Sequence, residues 1–374
     1  MKHIILFDND IQRYPPILSV INILLELNKE VTFYGDSESK LLLKQLKDKG
    51  VDHVPVNIGK LDDNKISKFF AILTYREKIK RLVKNENKSE IVIWLFGNTN
   101  LWVLNKLVLK YKTIVYFFEV PKLKIAPRYK LISPFLNYKK TIQKAWKVIS
   151  VEYNRAHIIK ALFSLEETPV VIPNKPHFDL STNKELELDQ LILSKLNDKK
   201  IILYQGIFNY PERRLDELCQ AIDHLSEDYI LCIMGPDDYN KSRLKKDYPS
   251  DKIIFLPFIT PPLHLEITKK AYIGFLSYFP SDNRISSILN VLYCAPNKIY
   301  EYSAFGIPMV SNDVPALEKE FKEFNAGIAD KFFTPKSIVN TINEISLNYE
   351  EYSKGAYNLY NSVNIKEMIS STIN

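Results

Sequence analysis

The sequence predicts an α/β protein made of two doubly wound, parallel-sheet domains, and three observations predict it. Strand-length apolar runs alternate with helical patterns through the first half of the chain, the pattern of parallel sheets covered by helices on both faces. The alternation stops at a polar segment, residues 173–183, and then begins again. The 374 residues, 46% apolar and 12% aromatic, suffice for two cores of ordinary size.

The first set of strands reads His3–Phe7, Glu30–Tyr34, Asp52–Pro55, Ile91–Leu95, Thr113–Phe118, Lys147–Val151 and Pro169–Ile172. Between them apolar residues recur at helical spacing, as over Pro16–Leu27, Lys65–Val83 and Phe135–Ala145. The second set reads Ile201–Tyr204, Tyr229–Met234, Ile253–Leu256, Tyr272–Leu276, Ile307–Val310 and Gly327–Ala329, and Leu347–Ile373 is mostly helical. Ligands of such sheets bind beyond the C-terminal ends of the strands. That rule selects Asp8, Asp10, Gly97, Glu119, Glu152, Gly206, Gly235 and the turn Ser277–Pro280.

Charge is uneven along the chain. The net charge is +7, yet residues 1–180 carry 30 Lys and Arg against 18 Asp and Glu. Within 101–150 there are eleven basic residues, and Glu119 is the single acidic one. An anionic partner for the N-terminal half is the expectation. The runs 75–88 and 122–147 mix lysines with Tyr75, Tyr129, Phe135, Tyr138 and Trp146, a mixture suited to an anionic membrane surface. No nucleic-acid motif accompanies them, so no nucleic acid is expected. No apolar run is long enough to span a bilayer, and residues 1–7 are too short for a secretory leader.

Cys219, Cys232 and Cys294 make no CxxC pair, so packing cysteines in a reducing, cytoplasmic setting are expected. The six histidines, His264 among them, fall at no metal-ligand spacing. Only ten glycines occur, with no GxGxxG and no Walker loop, which argues against a nicotinamide dehydrogenase or a P-loop enzyme.

The densest chemistry lies in residues 296–315, PNKIYEYSAFGIPMVSNDVP. Pro296 suits the first turn of a helix, Gly306 its exit, and Pro308 stops its continuation. A helix mouth there offers free N–H groups to a phosphate or diphosphate. Asn297 and Glu301 are four apart and share a face, with Lys298 one position round. A carboxylate so placed can accept both hydroxyls of a ribose. Upstream, Arg213 and Arg214 follow Pro211 at the expected start of a helix, where a guanidinium can hold diphosphate oxygens.

PNKIYEYSAFGIPMVSNDVP resembles the donor-binding segment of "group 1" glycosyltransferases of the GT-B fold. The stretches AYIGFLSYFPSDNRISSILNVLYCA, just before it, and YQGIFNYPERRLDEL (204–218) also look like that family. The resemblance implies two Rossmann-like domains facing across a cleft. The N-terminal, acceptor-side domain would be 1–178, with a C-terminal helix at about 350–374 packing back onto it. The nucleotide-sugar domain would be 179–349. It further implies a donor site of Gly206, Arg213, Arg214, Asn297, Lys298 and Glu301, with Phe258 and Ile259 near the base. The substrate would be a nucleotide-diphosphate sugar, a UDP-sugar by default, used without metal or other cofactor.

The chain departs from the family's pattern twice. Tyr293 stands where retaining members carry a second carboxylate, and Ile207 stands where many carry an arginine. The stereochemical course therefore stays open. An inverting enzyme would need a base, for which Asp8, Asp10 and Glu119 are candidates. The string Asp8-Asn9-Asp10 also reads as turn and cap chemistry, or as a D-x-D metal string. The full expectation is transfer to a glycan or lipid-linked acceptor in bacterial cell-surface polysaccharide synthesis, peripherally at the inner face of the plasma membrane. The alternatives are a nucleotide-sugar epimerase and a catalytically silent partner subunit.

Overall fold

The computed structural model describes residues 1–56, 65–122, 124–177 and 196–374. The chain divides into two compact units, Met1–His177 with Ile365–Asn374, and Phe178–Asn364. Of the polar segment 173–183, the part from 178 on lies outside the described residues.

The first unit holds a seven-stranded sheet of β1 (Lys2–Asp10), β2 (Glu30–Asp36), β3 (Asp52–Val54), β4 (Ile91–Phe96), β5 (Thr113–Phe117), β6 (Lys147–Ser150) and β7 (Val170–Val171). Its order is β3-β2-β1-β4-β5-β6-β7, with every pair parallel. The strands β4 and β5 are buried at every position, as expected of strands covered on both faces.

The second unit holds a six-stranded sheet of β8 (Lys200–Gln205), β9 (Tyr229–Met234), β10 (Ile253–Leu256), β11 (Ala271–Leu276), β12 (Met309–Asn312) and β13 (Gly327–Asp330). Its order is β10-β9-β8-β11-β12-β13, again all parallel. Period-two alternation builds its two cores. Ile201 and Leu203 of β8 face one layer with Ile299 and Tyr302, while Ile202 and Tyr204 face the other with Leu218 and Ile342. In both sheets the order reverses between the first and fourth strands, the switch point that opens a crevice at the strand ends. Asp8 and Gly97 flank that point in the first unit; Gly206 and Ser277 flank it in the second.

Several local expectations shift. The strand expected at Ile307–Val310 runs Met309–Asn312. Pro308 has no N–H to give the ladder, although its carbonyl accepts from Gly274 N. The helix expected from Pro296 begins at Asn297, with Pro296 as its cap. Arg213 and Arg214 do not start a helix: they lie in a turn closed by Arg213 N to Asn209 O, and the helix spans Asp216–Ala221. The return to the first unit is made by 365–374 alone, because the helix Tyr349–Asn361 stays in the second unit. There its Gly355 lies against the carbonyls of Phe324 and Asn325, with no room for a Cβ.

The apolar side of the stripe 75–88 packs inward, with only Leu82 of it partly exposed. Tyr75, Ile79 and Val83 are core residues of the first unit, on a helix running Lys65–Lys84. Tyr129 and Tyr138 are buried there as well, and Trp146 lies under the Lys112 ammonium. The helix expected over Phe135–Ala145 spans Tyr138–Gln143. Phe135 alone of these aromatics is fully exposed, at 97%. All three cysteines are buried, and none is in a disulfide among the described residues. Among the described residues no helix is long and apolar enough to cross a membrane.

Candidate functional site

The best-defined polar constellation lies at the switch point of the second sheet. Glu301 is carried by the helix Asn297–Ser303, which Tyr302 fastens to the sheet. The Tyr302 hydroxyl donates to Leu203 O at 2.9 Å, and its ring lies on Gly274 of β11, where a Cβ would come within 2.5 Å. That anchoring turns Glu301 toward the end of β8.

There Glu301 is buried, 6% exposed. Gln205 Nε2 donates to its Oε2 at 2.6 Å, and His264 Nε2 stands 3.4 Å from its Oε1. The Thr268 hydroxyl in turn donates to Gln205 Oε1 at 2.8 Å. Burial pushes the Glu301 carboxyl up, but His264, Lys298 and the Gln205 amide together outweigh it and hold the group below its ordinary range.

Lys298 lies over Gly206. A Cβ on Gly206 would meet Lys298 Cε and Nζ at 2.8 Å, and the φ of +143° at this residue also favours glycine. Burial, then the nearby Arg213 charge, push the Lys298 ammonium down to about 8. A buried ammonium beside a second cation at a strand end forms a place where an anion is welcome.

Arg213 is positioned by an aromatic ring. Its guanidinium sits 4.3 Å over the Tyr278 ring. Tyr278 is fixed by Asn312 of β12, which accepts from its N–H at 2.8 Å and donates to its carbonyl at 2.7 Å. The Arg213 Nε is buried with no hydrogen-bond partner among the described residues. Arg214 departs from the cluster. Its backbone exchanges hydrogen bonds with Ser277 Oγ, and its guanidinium lies on the Phe279 ring.

The structure thus brings Gly206, Arg213, Lys298 and Glu301 together. Asn297 opens the helix, and Tyr293 caps the preceding helix, Ile285–Leu292. Beyond β10, Ile259 is buried in the core while Phe258 is exposed. Gln205, His264 and Thr268 had no sequence signal of their own. Gln205, however, is in phase with Ile201 and Leu203 and ends its strand one residue before the selected Gly206.

In the first unit the three acidic candidates separate. Asp10 caps a short turn at Gln12 N and also accepts from Ser37 Oγ at 2.8 Å and Glu38 N. Glu119 is exposed, past the end of β5. Asp8 accepts from Asn100 Nδ2 at 3.2 Å, and the Tyr75 hydroxyl donates to Asn100 Oδ1 at 2.6 Å. Burial raises the Asp8 carboxyl to about 6, its own N–H and Asn9 opposing only in part. Asp8 and Glu119 both face Tyr14, whose hydroxyl is pushed up by burial and then by these charges. Among the described residues no group of three or more His, Cys, Asp or Glu is placed to hold a metal ion.

Residues 189–361 match the model of the family described as glycosyl transferases group 1. The chain carries a group 1 glycosyltransferase domain. Solved structures agree in fold along the whole length of the chain. HepE of Anabaena, solved with UDP and glucose, is 12% identical with a TM-score of 0.69, covering 99% of this chain and 98% of that one. A glycosyltransferase of Rickettsia africae is 13% identical with a TM-score of 0.67, covering 100% and 96%. A UDP-N-acetylglucosamine 2-epimerase is 13% identical with a TM-score of 0.64, covering 100% and 94%. No curated protein sequence matches the chain. The GT-B fold and the glycosyltransferase class expected from the motifs are borne out.

Proposed function

We propose that this glycosyltransferase moves a sugar from a nucleotide-diphosphate donor, a UDP-sugar by default, to a glycan or lipid-linked acceptor in bacterial surface-polysaccharide synthesis. The observation that carries the reading is the convergence of Glu301, Lys298, Gly206 and Arg213 at one strand end. Glu301 accepts the ribose hydroxyls. Lys298 and Arg213 face the diphosphate and offset the charge that grows on the departing nucleotide. Asn297 joins them at the phosphates, and the exposed Phe258 ring with Ile259 flanks the base. No metal is needed for this division of labour.

The N-terminal unit takes the acceptor. Asp8 is the strongest of its three candidate bases, since a carboxyl raised to about 6 can take a proton near neutral pH. Asp10 is occupied by capping. The surface of this unit suits an anionic bilayer: Leu131, 72% exposed, and Phe135 stand among exposed Lys122, Lys124, Arg128, Lys130, Lys139, Lys140 and Lys144. That supports a peripheral, inner-leaflet location and a lipid-linked acceptor.

The test is turnover of a panel of nucleotide sugars with EDTA present, with and without undecaprenyl-diphosphate-linked sugar in anionic vesicles. Acceptor-dependent release of the nucleoside diphosphate is expected. Isomerised donor without acceptor would replace this reading with an epimerase. Nucleotide binding without any turnover would replace it with a silent partner subunit.

A further inference from the structure

We propose that Gln205, Thr268 and His264 form a positioning relay that aims Glu301 at an intact ribose diol and so sets a preference for ribonucleotides over 2′-deoxyribonucleotides. The inference rests on the donor-site reading above. An ionised carboxylate offers about four lone-pair directions on its two oxygens. Gln205 takes one on Oε2, and His264 faces one on Oε1. No third donor reaches Glu301 among the described residues. Each oxygen therefore keeps a direction open, and two adjacent acceptors match two vicinal hydroxyls.

The orientation of Gln205 is itself determined. The two ends of a side-chain amide are told apart only by their hydrogen bonds. The Glu301 carboxylate can only accept, so Nε2 is the end that meets it and Oε1 is left to the Thr268 hydroxyl, which donates to it. Turned over, the amide would set its oxygen against a carboxylate. Thr268 is wholly buried, and its hydroxyl also lies 3.1 Å from the carbonyl of His264. One short segment, His264–Thr268, thus supplies one contact to Glu301 directly and controls the other through Gln205. With Gln205 and Glu301 both buried, a misplaced donor or acceptor finds little water to satisfy it.

The test is calorimetric titration of the full chain with UDP, GDP, CDP and ADP and their 2′-deoxy counterparts. Wild type, Thr268→Val and Thr268→Ser are compared, each with a melting curve. Wild type should favour the best-bound ribonucleotide over its 2′-deoxy form by about tenfold or more, as loss of one charge-assisted hydrogen bond implies. Thr268→Val keeps the shape and removes the donor; it should bring the ratio below threefold by weakening the ribonucleotide, and Thr268→Ser should restore it. An unchanged ratio in Thr268→Val, or equal weakening of both nucleotides, overturns the relay. Equal binding of both forms by wild type also overturns it but leaves the donor site standing, whereas no nucleotide binding at all removes both. Should Thr268→Val fail to fold, Gln205→Met, which removes the amide at similar length, gives the same comparison with the same two outcomes.

Discussion

Replacing Asp8 by Asn should stabilise the N-terminal unit at pH 8 and leave it unchanged at pH 4. Asp8 follows the buried run of β1 and is half-buried; burial raises its carboxyl to about 6, and its side-chain partners are two amides, Asn100 and Asn9, each at 3.2 Å. In the unfolded chain such a group titrates near ~3.9. Between those values the folded state holds more proton than the unfolded state. Stability from this group is therefore full below about pH 4 and is lost as pH rises through about 6. Each pH unit is worth about 1.4 kcal/mol, so a shift of about two units amounts to about 3 kcal/mol at pH 8. Partial exposure of the carboxyl to water reduces this to about 2 kcal/mol. Asn has nearly the same volume and carries no charge, and its oxygen can keep an amide contact. The expected gain in melting temperature is about 4–8 °C at pH 8, at about 2–4 °C per kcal/mol, and none at pH 4. Unfolding of wild type and Asp8→Asn followed at both pH values checks this. No gain at pH 8, or an equal gain at both, refutes the burial argument. On the proposed reading Asp8 takes the acceptor proton, so the same variant should lose transfer activity.

Gly274→Ala would drive a Cβ to within 2.5 Å of the Tyr302 ring, which is wholly buried and cannot retreat. A loss of about 3 kcal/mol in the second unit is expected, with weaker nucleotide binding because the helix carrying Glu301 shifts; a melting curve like that of wild type would contradict this. Changing Leu131 and Phe135 to Ser should abolish sedimentation with vesicles of 30% phosphatidylglycerol without altering nucleotide binding in solution. Retained sedimentation, or equal binding to uncharged vesicles, would remove the membrane assignment.

The fold was legible because buried parallel strands read as continuous apolar runs. All thirteen strands of the described residues fall on or beside the expected ones. Their ends were less legible where the ladder rather than the residue type decides. Asp8 to Asp10 read as turn residues, yet they prolong β1 because Asp10 pairs with Asp36 across the sheet. Lysine-rich stripes misled in another way. Tyr75, Ile79 and Val83 lie on the same amphipathic pattern whether they meet lipid or a core, and only the packed sheet decides between the two. In the candidate site, Glu301 and Lys298 were visible because helical spacing places them together. Gln205 and His264 were not, because Gln205 reaches Glu301 from a strand end 96 residues away and His264 from the start of the separate helix Leu265–Thr268. Period-two phase could place Gln205 on the Leu203 face, but no local pattern says which helix covers that face.

The most direct test of the donor site is nucleoside diphosphate binding by wild type and Glu301→Gln, measured by calorimetry in EDTA on protein whose melting curve is intact. Hydrogen bonds to a charged group are worth about 1.5–3 kcal/mol each, and tenfold in affinity is about 1.4 kcal/mol. Gln keeps the length of Glu but loses the charge and an acceptor. The account predicts selective binding of one nucleoside diphosphate by wild type and a loss of about 100-fold in Glu301→Gln. Affinities within threefold of each other would contradict the assignment of Glu301 to the ribose.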